Sequence, residues 1–303
     1  MNKKMNGILV SDILYKELNK YLETKDQIPK VVDISIGEDF GNKMYSKMKE
    51  KTITSKTPIK FISKHFDKIT YIELRDYIER LNKDTTVTGI MIQLPLPEKL
   101  KEKEREILDL IAPKKDIDGL TTTSIKEVIE KKDSLIPCTA LGIETLLKSY
   151  NVPLKNKKVA ILNRSNIVGK PLEQLMIKEN ALPIVCHSKT KNLKEITKDC
   201  DIVIVAINKQ EYITEEFIKD QAIVIDVGVH KNKEGKTVGD VYFENIYQKA
   251  FLITPPTGAV GPMTICMFAY NSVKSIYGKE VNQIIEKGIK KAQKEIKRGD
   301  SLE

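Results

Sequence analysis

Tyr45 and Lys49 stand four residues apart in a stretch with helical character, so their side chains share one helix face. Such a Y-x-x-x-K pair is a candidate site. The spacing alone does not establish this, because Tyr21/Lys25 and Tyr270/Lys274 repeat it. A second segment, Gly89-Ile90-Met91-Ile92-Gln93-Leu94-Pro95-Leu96-Pro97, ends an apolar strand in a carboxamide and two prolines. A buried amide at a strand's C-terminal end needs partners, and ligands of open α/β sheets gather at that edge. A third, Pro113-Lys114-Lys115-Asp116-Ile117-Asp118-Gly119, sets two acids in a turn. A fourth, from Thr254 to Thr264, is a loop of prolines and glycines that permits close backbone approach.

Two further segments suit a nucleotide. The apolar run Lys158–Leu162 leads into Asn163-Arg164-Ser165-Asn166-Ile167-Val168-Gly169-Lys170-Pro171, then a helical pattern with Leu172, Leu175 and Met176. Pro171 fits a first helical turn, and the free N–H groups of such a turn bind anions. Of the usual glycine-rich pattern only Gly169 is present. The next run, Leu182–Cys186, ends in His187-Ser188-Lys189-Thr190-Lys191, with no acid to hold a ribose 2′-hydroxyl. Hydroxyls and cations there, with Arg164, suit a 2′-phosphate and therefore NADP rather than NAD.

These residues need a frame. Apolar runs at Val31–Ile36, Ile59–Ser63, Val87–Gln93, Lys158–Leu162, Leu182–Cys186, Asp201–Ala206, Ala222–Asp226 and Phe251–Ile253 alternate with helical patterns such as Tyr71, Leu74, Ile78 and Leu81. The alternation predicts α/β architecture with parallel sheets. A boundary falls at Lys131–Thr139, before a new βαβ series. Near the C-terminus Val281, Ile284, Ile285, Ile289, Ala292 and Ile296 line one face of a long basic helix, to be covered by its own chain or by a partner.

Composition excludes several classes. Of 303 residues, 41% are hydrophobic and 31% charged, a globular balance. The net charge of +9 comes from lysines spread along the chain, with five arginines and no tryptophan, which argues against a nucleic-acid reader. The cysteines 138, 186, 200 and 266 form no metal-ligand spacing and read as reduced core residues, and His65, His187 and His230 are far apart. No metal site is expected. Asp12 interrupts the run Ile8–Val10, and the longest apolar runs are strand-sized, so neither a secretory signal nor a membrane span is expected.

In this order, the segments resemble the bifunctional methylenetetrahydrofolate dehydrogenase/methenyltetrahydrofolate cyclohydrolase family over nearly the whole chain. The family's Y-x-x-x-K appears as Tyr45–Lys49, its VQLPLP as Ile92–Pro97 and its P-x-KDVDG as Pro113–Gly119. PCTP-x-G matches Pro137–Gly142 with Ala140 for the proline, GRS-x-x-VGKP matches Asn163–Pro171, and cHS-x-T matches Cys186–Thr190. IDVGI, GDV and TPVPGGVGPMT match Ile225–Val229, Gly239–Val241 and Thr254–Thr264. Asn163 and Asn208 replace glycines at strand ends where a dinucleotide passes, and Thr257 and Ala259 replace a proline and a glycine. A side chain at 163 or 208 either crowds the cofactor or adds a hydrogen bond.

The resemblance implies two parallel-sheet α/β domains with a cleft between them. Residues 1–138, joined by the C-terminal helices 270–303, would bind folate, and residues 139–269 would form a Rossmann-like NADP-binding domain. Tyr45 would stack on folate, Lys49 would exchange protons, Gln93 would orient Lys49, and Asp118 would hold the pterin. Ile92, Leu94, Gly258, Val260 and Gly261 would line the folate site. Arg164 and Ser188 would take the 2′-phosphate, Ser165 the other phosphates, and Val229 and Thr264 the nicotinamide carboxamide. The resemblance further implies a cytoplasmic homodimer acting on tetrahydrofolate derivatives in one-carbon metabolism, which feeds purine, methionine and histidine synthesis. The dimer would form through the nucleotide domain, where Val238–Val241 offers an apolar strand edge. An alternative is a cyclohydrolase with weak or lost dehydrogenase activity, because of Asn163 and Asn208. A short-chain dehydrogenase places its Tyr/Lys pair after the nucleotide loop, whereas here the pair precedes it, and a non-catalytic binding protein has no use for Tyr45, Lys49, Gln93 and Asp118 together.

Overall fold

The structure, a computed structural model, describes residues 3–37, 40–130 and 132–300. Lys131, where the expected boundary begins, lies outside them. The chain divides into two compact units, one of Tyr15–Cys138 with Ile265–Ile285 and the other of Met1–Leu14, Thr139–Thr264 and Glu286–Glu303.

The unit containing Tyr45 is built on three parallel strands, β1 (Lys30–Ile36), β2 (Lys60–Phe66) and β3 (Gly89–Ile92), in the order β2-β1-β3. The near-continuous apolar run of β1 is buried on both faces, as a central parallel strand requires. Asp33 interrupts that run and is itself buried, paired in register with Met91 on β3. Strand β3 is shorter than the sequence suggests: it stops at Ile92, leaving Gln93 just beyond the C-terminal edge. Helix α1 (Gly7–Leu22) precedes β1, helix α2 (Phe40–Lys56) follows it, and helix α3 (Tyr71–Lys83) follows β2. The start of α3 is fixed by a capping box between Thr70 and Glu73, and its stripe buries Leu74 and Ile78.

The second unit carries five parallel strands, β4 (Lys158–Leu162), β5 (Leu182–Cys186), β6 (Ile202–Val205), β7 (Ile223–Asp226) and β10 (Leu252–Ile253), in the order β10-β7-β6-β4-β5. The order reverses direction at β4, so the crevice for a ligand opens at the C-terminal ends of β4 and β6. Strands β8 (His230–Lys231) and β9 (Thr237–Val238) form a small antiparallel hairpin. This corrects the expected edge at Val238–Val241. Val238 and Val241 are both buried within their own unit, so they offer no surface for pairing.

The C-terminal helix Glu280–Asp300 buries Val281, Ile285, Ile289 and Ala292 against its own chain. It does not join the first unit as a whole, because residues from Glu286 onward belong to the second. Gly288 is required there: a Cβ would press on the Leu14 side chain, at 2.5 Å from Cδ2. No helix among the described residues is long and apolar enough to cross a membrane.

Candidate active site

Helix α2 presents Tyr45, Ser46 and Lys49 toward the sheet. Lys49 is 2% exposed, an unusual burial for an ammonium. Its Nζ lies 2.8 Å from Met91 Sδ, 5.1 Å from the centre of the Tyr45 ring and 5.0 Å from that of Phe268. A thioether and two ring faces hold a cation weakly while excluding water. Met91 and Gln93 point to one face of the strand end, so Gln93 lies on the same side as Lys49. Gln93 is itself buried, and its Nε2 donates to both Asp33 oxygens, at 2.9 and 3.0 Å. Ser46 Oγ donates to Asp33 Oδ2 at 2.5 Å. Asp33 carries no motif, and sequence reading passes over it. The available signal was an acid inside a β-branched run, which must be partnered if the run is a buried strand.

The two acids of the turn have different tasks. Asp116 is buried and accepts from the Leu120 and Thr121 amides and from Ser124 Oγ, so it shapes the turn and the start of the following helix. Asp118 keeps a partly exposed surface, and burial nevertheless raises its carboxyl pKa. The charge of Lys49 pulls the other way, while Asp116 and Asp33 add to the rise. Burial likewise raises the Tyr45 phenol, with the charge of Asp118 adding to it. Gly119 has φ of +70°, and a Cβ there would meet the Leu135 carbonyl at 2.7 Å. Asn271 closes the turn from behind, donating to the Ile117 and Ile136 carbonyls at 3.0 and 2.8 Å. Tyr45, Lys49, Gln93 and Asp118 therefore belong to one unit and one electrostatic neighbourhood. Ile92 is buried at the end of β3, and Leu94 follows Gln93.

Gly258, Val260 and Gly261 lie in the other unit. Gly258 has φ of +81° and accepts from the Ile8 amide at 3.1 Å. Val260 opens the Val260–Tyr277 helix, and Gly261 faces open space. Thr264 lies inside that helix, its hydroxyl donating to the Val260 carbonyl, and Val229 is 70% exposed.

In the same unit a cavity of about 340 Å³ opens at the ends of β4, β5 and β6. Arg164, His187, Ser188 and Thr190 line it, together with Lys209 and Tyr212, which sequence reading missed. Their signal was the rule that ligands collect where strands end, applied to the loop after β6. Ser165 is not in the lining. Its hydroxyl accepts from the Val168 amide at 3.2 Å.

Asn163 resolves the alternative left open by its type. Its Nδ2 donates to the Ala206 carbonyl at 2.6 Å, and its Oδ1 accepts from the Ser165 and Gly169 amides at 2.8 and 3.1 Å. The side chain stitches the loop after β4 to the end of β6. Asn208 takes φ of +55°, a left-handed conformation that asparagine tolerates better than most residues. It keeps the backbone a glycine would adopt.

Two buried acids support this pocket. Asp240 accepts from the Ile207, Asn208 and Lys209 amides at 2.7, 3.1 and 2.7 Å, and pairs with His230 Nε2 at 2.8 Å. Asp226, at the end of β7, accepts from the Gly228, Asp240 and Val241 amides. Burial pushes the Asp226 carboxyl up to about 7, against the pull of those amides. Between an unfolded value near 3.8 and about 7 the folded chain holds a proton that the unfolded chain lacks. The stability from this group is complete at low pH and is lost as pH rises toward 7. Asp226→Asn removes that dependence, so its melting temperature relative to the parent should rise between about pH 4 and pH 7. A difference constant over that range in thermal melts would refute the assignment.

The loops and pockets just described coincide with known sequence families. Residues 4–118 match the model of the tetrahydrofolate dehydrogenase/cyclohydrolase catalytic domain, and residues 137–280 match that of its NAD(P)-binding domain. The chain belongs to the tetrahydrofolate dehydrogenase/cyclohydrolase family. It is 41% identical to the bifunctional protein FolD of Agathobacter rectalis over 280 residues, covering 91% of this chain and 99% of the relative. Among solved structures it is similar to the bifunctional FolD of Campylobacter jejuni, with TM-score 0.85 and 36% identity over 89% of this chain and 97% of that one. It is also similar to the Trypanosoma brucei methylenetetrahydrofolate dehydrogenase-cyclohydrolase, solved with NADP and an inhibitor, with TM-score 0.83 and 29% identity over 90% and 96% of the two chains.

Within this family the chain's departures are local. Asn163 ties loop backbone while lining the cavity, and Asn208 keeps a left-handed backbone, so neither gives a structural motive for a lost dehydrogenase activity. The α/β frame with parallel sheets agrees with the expectation, and the five-stranded unit is the family's NAD(P)-binding type.

Proposed function

We propose that this protein oxidises 5,10-methylenetetrahydrofolate to the 5,10-methenyl form with NADP and hydrolyses that product to 10-formyltetrahydrofolate. The observation that carries the reading is Lys49, a buried amine against the Tyr45 ring and within the field of Asp118, in a chain of this family. Tyr45 stacks on the pterin, Asp118 binds its donor edge, and Ile92, Gln93 and Leu94 shape the wall. Gly258, Val260 and Gly261 belong to the other unit, and their assignment to folate rests on the family resemblance alone. We assign folate to the unit with Tyr15–Cys138 and NADP to the other.

The cavity fits NADP. It combines Arg164, Ser188 and Lys209 with a β5 end that carries no acid. Arg164 and Ser188 would hold the 2′-phosphate, Ser165 would serve the other phosphates, and Val229 and Thr264 would serve the carboxamide. Bound there, NADP would supply the hydride acceptor for the methylene carbon. In its neutral amine form Lys49 takes a proton from the water that attacks the methenyl carbon, and as the resulting ammonium it returns that proton to the ring nitrogen as the ring opens.

One preparation tests the whole reading: NADPH formation from methylenetetrahydrofolate and loss of the methenyl absorbance are followed side by side. Absence of either activity overturns it. Arg164→Ala removes a charge-assisted contact of about 1.5–3 kcal/mol, so the NADP KM should rise about 10- to 100-fold. The NAD KM should stay within twofold, and equal losses for both cofactors would show that Arg164 does not read the 2′-phosphate.

The reading includes a cytoplasmic location and a homodimer through the nucleotide unit. With Val238 and Val241 buried, support for the dimer moves to β5, an edge strand that begins with the exposed Leu182. Sedimentation as a monomer at micromolar concentration would count against it.

A further inference from the structure

Asp33 is a 1% exposed carboxylate one strand away from Met91, whose sulfur touches Lys49, and no step of the proposed chemistry uses it. Its partners are Ser46 Oγ and Gln93 Nε2. A carboxylate in this state has no hydrogen to give, so only the NH₂ end of the Gln93 amide can face it. The opposite end, Oε1, is then committed to the remaining side, where it presents an acceptor and no donor. Without Asp33 the amide could turn over at little cost and set its NH₂ group toward a cation.

We propose that Asp33 is a positioning residue for hydrolysis, fixing the Gln93 amide so that its carbonyl end faces the Lys49 side of the pocket. The inference rests on the function proposed above for its kinetic consequence, but not for its structural one. Proton exchange at Lys49 depends on an acceptor oriented beside it, whereas hydride loss from the methylene carbon moves no proton. Asp33 therefore acts on one activity more than the other. Ser46 donates to Oδ2, which it shares with Gln93, while Oδ1 accepts from Gln93. Removing the hydroxyl leaves the acceptor that fixes the amide, which makes Ser46 the control.

The test compares the parent protein, Asp33→Asn and Ser46→Ala, each with a confirmed thermal melt. Asparagine offers one acceptor where aspartate offers two, and its own NH₂ opposes whichever donor faces it. In protein labelled with ¹⁵N-glutamine, the Gln93 side-chain amide, assigned by its absence in Gln93→Leu, should exchange slowly in the parent and at least tenfold faster in Asp33→Asn. The kcat for methenyltetrahydrofolate hydrolysis should fall at least tenfold with KM within twofold, while NADP-dependent oxidation falls less than threefold. Ser46→Ala should change both rates less than threefold. A folded Asp33→Asn protein with an unaltered Gln93 amide, or with both activities reduced by one common factor, overturns the proposal. If the parent hydrolyses no methenyltetrahydrofolate, the function above fails, and the amide exchange still decides the role of Asp33.

Discussion

Lys49→Gln is expected to lower methenyltetrahydrofolate hydrolysis by about 10²- to 10⁴-fold, the range of a positioned acid/base, while NADP-dependent oxidation persists. The two steps differ in what they ask of the residue. Hydride transfer leaves a cation on the folate and needs donor and acceptor in line, but no proton transfer. Hydrolysis needs a proton removed from water and another delivered to nitrogen, beside a site that bulk water does not reach. Lys49 is 2% exposed, and the groups that touch its amine, the Met91 thioether and the Tyr45 and Phe268 ring faces, take up no proton in its place. Glutamine keeps the length and some hydrogen bonding but cannot exchange a proton near neutral pH. It also withdraws the positive charge that holds the Asp118 carboxyl down, so some weakening of folate placement is expected in both activities. Asp118→Ala separates that effect, because it removes a binding contact common to both steps and should reduce them together. Measured at saturating folate, a Lys49→Gln protein that loses both activities by one factor would show that Lys49 positions substrate and moves no proton.

Much of this site is legible in the sequence because its residues occur in segments whose wording is distinctive. Tyr45 and Lys49 share a helix, Gln93 follows a strand end and Asp118 sits in a turn, all within elements that an α/β alternation already predicts. What is not legible is partnership across the sheet. Asp33 reads as an interruption of an apolar strand, and only the β1–β3 register shows that it faces Met91 and reaches Gln93. Asn163 is ambiguous for a similar reason. Whether its amide crowds a ligand or ties a loop depends on the Ala206 carbonyl, 43 residues away in sequence. The C-terminal helix is the opposite case. Its apolar stripe is plain from the sequence and is buried, but a stripe carries no address, so its division between the two units follows only from the packing. Val238 and Val241 show the limit of apolar character as evidence of an edge: in a two-residue hairpin strand and the turn that follows it, such residues are filling their own core.

Asp240→Ala is expected to cost the nucleotide unit several kcal/mol of stability and to raise the NADP KM at least tenfold. The carboxylate is fully buried and accepts from three consecutive backbone amides, Ile207, Asn208 and Lys209, as well as from His230. Each buried donor left unsatisfied costs about 1–3 kcal/mol, and because the three share one loop their costs do not simply add. The loop has a cheaper response, which is to leave. Ala206, Ile207 and Lys209 line the nucleotide cavity, and at its start the same loop is held by the Asn163 amide and by the Ala206 amide donating to the Leu162 carbonyl. Freed from Asp240, Asn208 has no reason to keep its left-handed backbone, and Lys209 and Tyr212 lose their place against the cavity. Folate hydrolysis consumes no NADP, so below the melting transition it should fall far less than oxidation does. His230→Gln retains one donor to Asp240 and should shift neither stability nor NADP KM by more than about 1 kcal/mol in equivalent terms. Thermal melts and NADP titrations on the two variants check the argument. A folded Asp240→Ala protein with an unchanged NADP KM would mean that the loop holds itself, and that the carboxylate stabilises the fold without shaping the cofactor site.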